Sequence, residues 1–251
     1  MATFGIEGIR HFSHLRASGE VTKADDLTYV FNNCNGLDGK LRGAGHSRSF
    51  YWAETDCWES DLRDVTLGGG DVSWADDVDL FFICTHGGFW DGRGHLAYDV
   101  AIDKWLGDQN DYRLGDNWNL EWLLVYGCDT VNRDDPLHLW NAFQRLHLYC
   151  GAWAEMWDGI TTDECGEDVG DNLVHGHTVA SSWIDGVSDW WYDNHPIVVA
   201  VEVEATWRGG GGNIDWANTT LNRDHLWGHG LTVADIAASD RYWISWRWSE
   251  G

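Results

Sequence analysis

The chain has 251 residues and carries 16 Lys and Arg against 41 Asp and Glu, a formal charge of −25 at pH 7. So acidic a chain does not hold nucleic acid through its bulk field, because duplex binding needs clustered cations that displace counterions, and it is not drawn to an anionic membrane surface. Nor is it a disordered acidic tail, since 43% hydrophobic and 14% aromatic residues can bury a large core. The acid excess, with only Lys23, Lys40 and Lys104 as lysines, reads first as a solvated surface suited to high salt, where screening weakens self-repulsion. It reads second as an acidic face for a cationic partner or metal ions.

In chain order, residues 5–12 (GIEGIRHF) read as a first strand and 24–33 as a helix. HSRSFYWA (46–53) reads as a strand, CWESDLRD (57–64) as a short helix, and LGGGD (67–71) as a loop. VDLFFICTH (78–86) is a continuous apolar run of the kind found in a strand buried on both faces, and LEWLLVYG (120–127) is a second. PLHLWNAFQRL (136–146) reads as a helix with Pro136 in its first turn, and LHLYCGA (146–152) as a third buried strand. A helix is expected over 178–194 (TVASSWIDGVSDWWYDN). In the strand that follows, PIVVAVEVEATW (196–207), Val199, Val201 and Val203 alternate with Glu202 and Glu204, which predicts one wet face. Arg208 and glycines 209–212 read as a turn, and the aromatic tail beyond as irregular. This alternation argues for a three-layer α/β fold, with a mostly parallel central sheet and helices on both faces. The α/β domain is expected over 1–208, with the Gly-rich turn and a Trp-rich extension, 209–251, packed on it.

Two of the buried runs end in reactive residues. The first ends in Thr85-His86-Gly87-Gly88 and the second in Gly127-Cys128-Asp129. In a parallel sheet, side chains at the carboxyl ends of neighbouring strands converge on one crevice. There an imidazole can take the thiol proton and leave the nucleophilic thiolate. Glycines beside both residues let the backbone approach a substrate closely. Alone, a Cys at a strand end is most often a small buried hydrophobe, and His-Gly is a common turn dipeptide. Here both follow apolar runs, both stand at a strand exit and both are flanked by glycine, and that pairing favours a histidine and a thiol acting together.

The blocks DLFFICTHGG and EWLLVYGCDT, with His before Cys, resemble the signature of the caspase-like, clan CD cysteine peptidases: caspases, metacaspases, legumain, separase and the gingipains. Downstream, LHLYCGAWAEMWDG is similar to the strand and loop beyond the nucleophile, and DNLVHGHTVASSWIDGVSDWW to the next helical stretch, so that the resemblance covers residues 75–205. It implies a caspase-like sandwich, with His86 as general base and later general acid and Cys128 as nucleophile. It also implies an oxyanion hole from the N–H groups of Gly87 and Cys128. The implied reaction is peptide-bond hydrolysis, or transpeptidation, through a thioester. Gly88, His95, Asp129 and Asp158 are expected to line the site, and Asp158 or Asp163 would favour a basic residue before the scissile bond. Gly127 departs from the pattern, where Ala is commoner. Asp129, directly after the cysteine, would raise the thiol pKa unless it points away.

Other constellations are weaker. His225 and His229 stand four apart, and His175 and His177 two apart, without the glutamate of a zinc peptidase helix. Asp76, Asp77 and Asp79 offer hard oxygen ligands for Ca²⁺; no other metal or cofactor is expected. LGGGD lacks the Lys-Ser/Thr of a phosphate loop, and no serine lies in a GxSxG elbow. None of the six cysteines is spaced CxxC. The start, MATFGIEGIRHF, lacks the basic and apolar regions of a secretory leader, and no apolar run is long enough to span a bilayer. The expected setting is the cytoplasm of a salt-adapted organism, and the expected partner a peptide or protein substrate, with no nucleic acid and no membrane. The 19 tryptophans motivate an alternative: a non-catalytic, self-assembling protein on the same fold, oligomeric through Trp-rich surfaces. Trp105, Trp122, Trp140 and Trp183 are expected in the core, and Trp243, Trp246 and Trp248 under a sheet edge or at an oligomer interface.

Overall fold

The continuous apolar runs become the middle of one sheet. A computed structural model describes residues 1–21, 23–101, 104–117, 119–188, 194–208 and 213–250. Its strands are β1 (Thr3–Gly8), β2 (Ser47–Ala53), β3 (Leu80–Cys84), β4 (Gly87–Trp90), β5 (Arg93–Ala97) and β6 (Leu106–Asp108). They continue with β7 (Trp122–Tyr126), β8 (Leu148–Ala152), β9 (Pro196–Glu202), β10 (Trp207–Arg208), β11 (Asn213–Ile214) and β12 (Trp243–Trp248). The helices are α1 (Ser13–Ser18), α2 (Val30–Gly43), α3 (Cys165–Val174), α4 (Val179–Val187) and α5 (Thr220–Arg223).

Seven strands form the central sheet in the order β12-β9-β8-β7-β3-β1-β2. From β2 to β8 every pairing is parallel, and β9 pairs antiparallel with both β8 and β12. The α/β class and the mostly parallel sheet are therefore as expected. Every residue of β3, β7, β8 and β9 is buried, the condition under which a strand needs no polar alternation. The wet face expected for β9 is absent. Glu202 is 1% exposed, and its carboxylate accepts hydrogen bonds from the Thr220 N–H at 3.0 Å and the Ser245 hydroxyl at 2.7 Å.

Helices lie on both faces, but unequally. One face carries α2, α3 and α4, whose Leu37, Val169 and Trp183 pack on Phe82, Leu124 and Val198. The other is covered by α1, loops and 3-10 turns around Phe81, Leu123 and Tyr149. The long helices approach through glycine. A Cβ on Gly166 would lie 2.0 Å from the Asn33 carbonyl oxygen, and one on Gly36 would lie 2.8 Å from the Glu167 main chain.

Several elements differ from expectation. The helix anticipated at 24–33 is α2, which begins later because the Asp158 carboxylate accepts the N–H groups of Thr28 and Tyr29 just before its first turn. Residues 57–64 hold only the 3-10 turn Glu59–Asp61, and 136–146 only Pro136–Leu139. α4 starts where expected, with Thr178 accepting the Ser181 N–H at 3.2 Å; residues 189–193 of the anticipated helix lie outside the described residues, as does the turn at 209–212. The tail is not wholly irregular, because β12 closes the sheet beside β9. Trp122 and Trp183 are fully buried, and Trp105 and Trp140 are partly buried against the second layer. Trp243 packs edge-on against Trp207 and Trp216. Among the described residues no helix is long and apolar enough to cross a membrane.

Candidate active site

β3 and β7 are parallel neighbours with Cys84 opposite Tyr126, so their exits leave the sheet side by side. The Thr85 N–H donates to the Tyr126 carbonyl at 3.1 Å and holds the exits together. Two glycines make the approach feasible. A Cβ on Gly87 would lie 2.3 Å from the Cys128 carbonyl oxygen and 2.7 Å from Thr130 Cγ2, and one on Gly127 would lie 2.9 Å from the Thr85 carbonyl oxygen. Their primary role is to fit one strand exit against the other.

His86 and Cys128 line the same crevice, about 220 Å³ in volume, together with Leu27, Tyr126, Glu155, Met156 and Asp158. The His86 ring packs on Phe12, and its Nε2 lies 2.7 Å from the Asp25 carbonyl oxygen. A carbonyl only accepts, so Nε2 donates and carries a proton, which leaves Nδ1 as the nitrogen able to take one. Cys128 is the one cysteine of six that is not buried. Its sulfur accepts the Met156 N–H at 3.3 Å and lies 3.5 Å from the Met156 carbonyl oxygen. Burial pushes the thiol pKa up; the Met156 backbone contact draws it down, and the negative charges of Asp129 and Glu155 add to the rise. The resting sulfur is therefore a neutral thiol. Asp129 sits in a left-handed turn (φ 48°), fixed by its N–H donating to Ala154 at 2.9 Å. Its own carboxyl is raised by burial and by Glu155, against the pull of His195.

The remaining expected residues separate. Asp158 lines the crevice, but its carboxylate is engaged at the start of α2. Asp163 takes a hydrogen bond from the Asn32 amide at 3.1 Å and does not line the crevice. Gly88 and His95 face each other across β4 and β5. The His95 ring stacks on Trp90 at 3.9 Å, and both border a smaller hollow of about 140 Å³ that also touches His86 and Gly87. Burial lowers the His95 pKa. His225 follows α5, with Nδ1 against the Arg223 and Leu231 carbonyls, whereas His229 meets His46 at 2.9 Å, so the two histidines do not share a helical face. Asp79 accepts both the N–H and the hydroxyl of Thr3, Asp77 is exposed, and Asp76 is buried.

The family profile described as a domain of unknown function (DUF6345) matches residues 6–250. The chain belongs to that family. No curated protein matches it. Among solved structures it is similar to the Drosophila initiator caspase Dronc, at 10% identity and a TM-score of 0.43, covering 73% of this chain and 70% of that one. It is also similar to iotapain, a secreted C11 cysteine protease from Bacteroides thetaiotaomicron, at 11% identity and a TM-score of 0.45, covering 79% of this chain and 65% of that one.

Glu155, Met156 and Asp25 were not anticipated. Met156 and Asp25 act through main-chain atoms, which leave no mark in a sequence. Glu155 sits in a loop whose path only the fold defines. The Trp90-Asp91-Gly92-Arg93 turn did carry a signal, because Asp-Gly between strand residues marks a tight hairpin; Asp91 and Gly92 have φ of 52° and 76°.

Proposed function

We propose that the protein is a cysteine peptidase or transpeptidase in which Cys128 is the nucleophile and His86 the base. What carries the reading is that the one cysteine that is not buried and a histidine whose Nε2 is held by a carbonyl line the same crevice, at the exits of adjacent parallel strands. The order and context of the two motif blocks support it. In the reaction, Nδ1 takes the thiol proton as the sulfur attacks the substrate carbonyl carbon. The C–N bond then breaks, and the proton passes from His86 to the leaving amine, which leaves a thioester on Cys128. Water, activated by the same imidazole, releases the acid and restores the thiol; an amine in place of water gives transpeptidation. Because the resting thiol is neutral, proton transfer accompanies attack. Glu155, exposed at the rim, favours a cationic side chain in the substrate, and the acidic surface steers basic peptides more strongly at low salt. Hydrolysis of peptides with Lys or Arg before the scissile bond, abolished in Cys128→Ala and kept in Cys150→Ala, supports the proposal. Undiminished hydrolysis in Cys128→Ala would overturn it.

One observation favours a second reading, self-assembly through a tryptophan-rich edge. β12 is an end strand of the sheet, Trp248 is exposed, and Trp216, Trp246 and Trp248 line a hollow beside it. Sedimentation over a range of concentrations decides it: dimers lost in Trp248→Ala support assembly, and a monomer throughout excludes it.

A further inference from the structure

At the amino end of the sheet, away from the crevice, three carboxylates gather from separate segments. Asp71 belongs to the 3-10 turn Asp71–Ser73, Asp76 to the turn Ala75–Asp77, and Asp116 to the bend before β7. One ligand oxygen from each lies within 4.8 Å of the others. Asp71 and Asp76 are both 0% exposed, and Asp116 is exposed. In each buried residue one oxygen is satisfied by backbone. Asp71 Oδ1 accepts the N–H groups of Val65 at 3.0 Å and Val72 at 2.9 Å, and Asp76 Oδ1 accepts that of Gly115 at 2.9 Å. Among the described residues, the second oxygen of each, Oδ2, is buried with no N–H or hydroxyl donor, and beside Asp76 stands only the Asp116 carboxyl. Buried carboxylate oxygens without donors are costly, and here the strongest charged neighbours only add to the cost. Those neighbours are Asp64 and Asp116 for Asp71, and Asp71 and Asp116 for Asp76.

We infer that Asp71, Asp76 and Asp116 form a binding site for a divalent hard cation, Ca²⁺. A cation at their centre would satisfy both orphaned oxygens at once. An all-oxygen donor set suits Ca²⁺, Mg²⁺ or Mn²⁺ and not the softer metals. Three carboxylates with one exposed side, where water completes the shell, fit the loose coordination of Ca²⁺ better than the strict octahedron of Mg²⁺. The bound ion would clamp the loop over 64–77 to the bend at 115–117, a structural role remote from Cys128.

The test is thermal unfolding of the full chain, first stripped with chelator, in high NaCl so that the acidic surface binds no ions nonspecifically. Calcium is expected to raise the Tm by several degrees, and magnesium by less. Asp76→Asn, near-isosteric, is expected to raise the Tm in chelator, because it removes a carboxylic acid crowded by two others, and to lose the calcium response. Asp116→Asn, at an exposed position that does not threaten folding, is expected to weaken calcium binding by at least about tenfold in calorimetry. No calcium response in the wild type, the same response in both variants, or a larger response to magnesium would overturn the assignment.

Discussion

Two histidines, at opposite ends of the same sheet, are built for different work. His147 precedes β8. Its Nδ1 lies 3.0 Å from Asp224 Oδ2 and its Nε2 3.4 Å from Asp235 Oδ1. Trp122, the first residue of β7, donates its indole N–H to the same Asp224 oxygen at 2.7 Å, and the Val233 N–H donates to the other at 2.9 Å. The His147 and Asp224 side chains are 1% and 0% exposed. His86, at the carboxyl end, is half-buried; the Asp25 carbonyl holds Nε2, and the ring borders an open crevice with a thiol. The difference lies in what is left unspent. Both nitrogens of His147 are committed and its side chain is buried, so the group fastens the C-terminal tail to the sheet. His86 keeps one nitrogen and access to solvent, so it can move a proton.

Substitutions can break or sharpen this contrast. The largest effect is expected from Cys128→Ala, which should lower peptide hydrolysis by at least about 10³-fold while leaving urea unfolding almost unchanged. Asp224→Ala should do the reverse. It strands a buried imidazole and an indole N–H, at a cost of about 3–5 kcal/mol in denaturant unfolding, with Cys128 reactivity preserved in the molecules that stay folded. If it silenced Cys128 without loss of stability, the two ends would not be separable.

The amino end also predicts a pH signature. Burial draws the His147 pKa down, but the hydrogen bonds to Asp224 and Asp235 outweigh it and hold the ring at about 9, above the usual 6.5. A raised histidine pKa stabilises the fold fully below pH 6.5 and loses that contribution as pH rises through 9, a change of about 3 kcal/mol. Unfolding measured from pH 6 to 10 should show this loss in the wild type and not in His147→Gln. A smaller effect is expected from Gly87→Ala. The added methyl meets the Cys128 carbonyl oxygen and should cost about 1–3 kcal/mol, with slower Cys128 alkylation. The smallest is expected from salt. Screening of the net charge of −25 between about 0.1 and 1 M NaCl should raise the Tm modestly without changing either histidine's role, and a fold indifferent to salt would count against a salt-adapted surface.

The middle of the sheet was legible because its strands are buried on both faces. β3, β7 and β8 read directly from their apolar runs, and the reactive pair followed from where two of them stop. α2 was not legible. Its second half, Gly36–Gly43, carries three glycines and little amphipathic pattern, and it holds its helix by close packing on α3 through Gly36 and, from the α3 side, Gly166 and Gly170. The helix read over 136–146 failed for a related reason. Phe143 bridges to Leu114, and Arg241 takes the Phe143 carbonyl at 2.7 Å, so tertiary partners replace the helical ladder. β9 misled because Glu202, polar in sequence, is matched inside by Thr220 and Ser245. In the crevice the side chains of His86 and Cys128 were readable. The main-chain groups that contact them, of Asp25 and Met156, were not.

The central claim is that His86 activates Cys128. It is tested most directly by native alkylation with iodoacetamide, with the adduct located by mass spectrometry, in the wild type and in His86→Ala. The account predicts one early adduct, on Cys128, formed at least about tenfold more slowly in His86→Ala. An early adduct on another cysteine, or equal Cys128 rates in the two proteins, would contradict it.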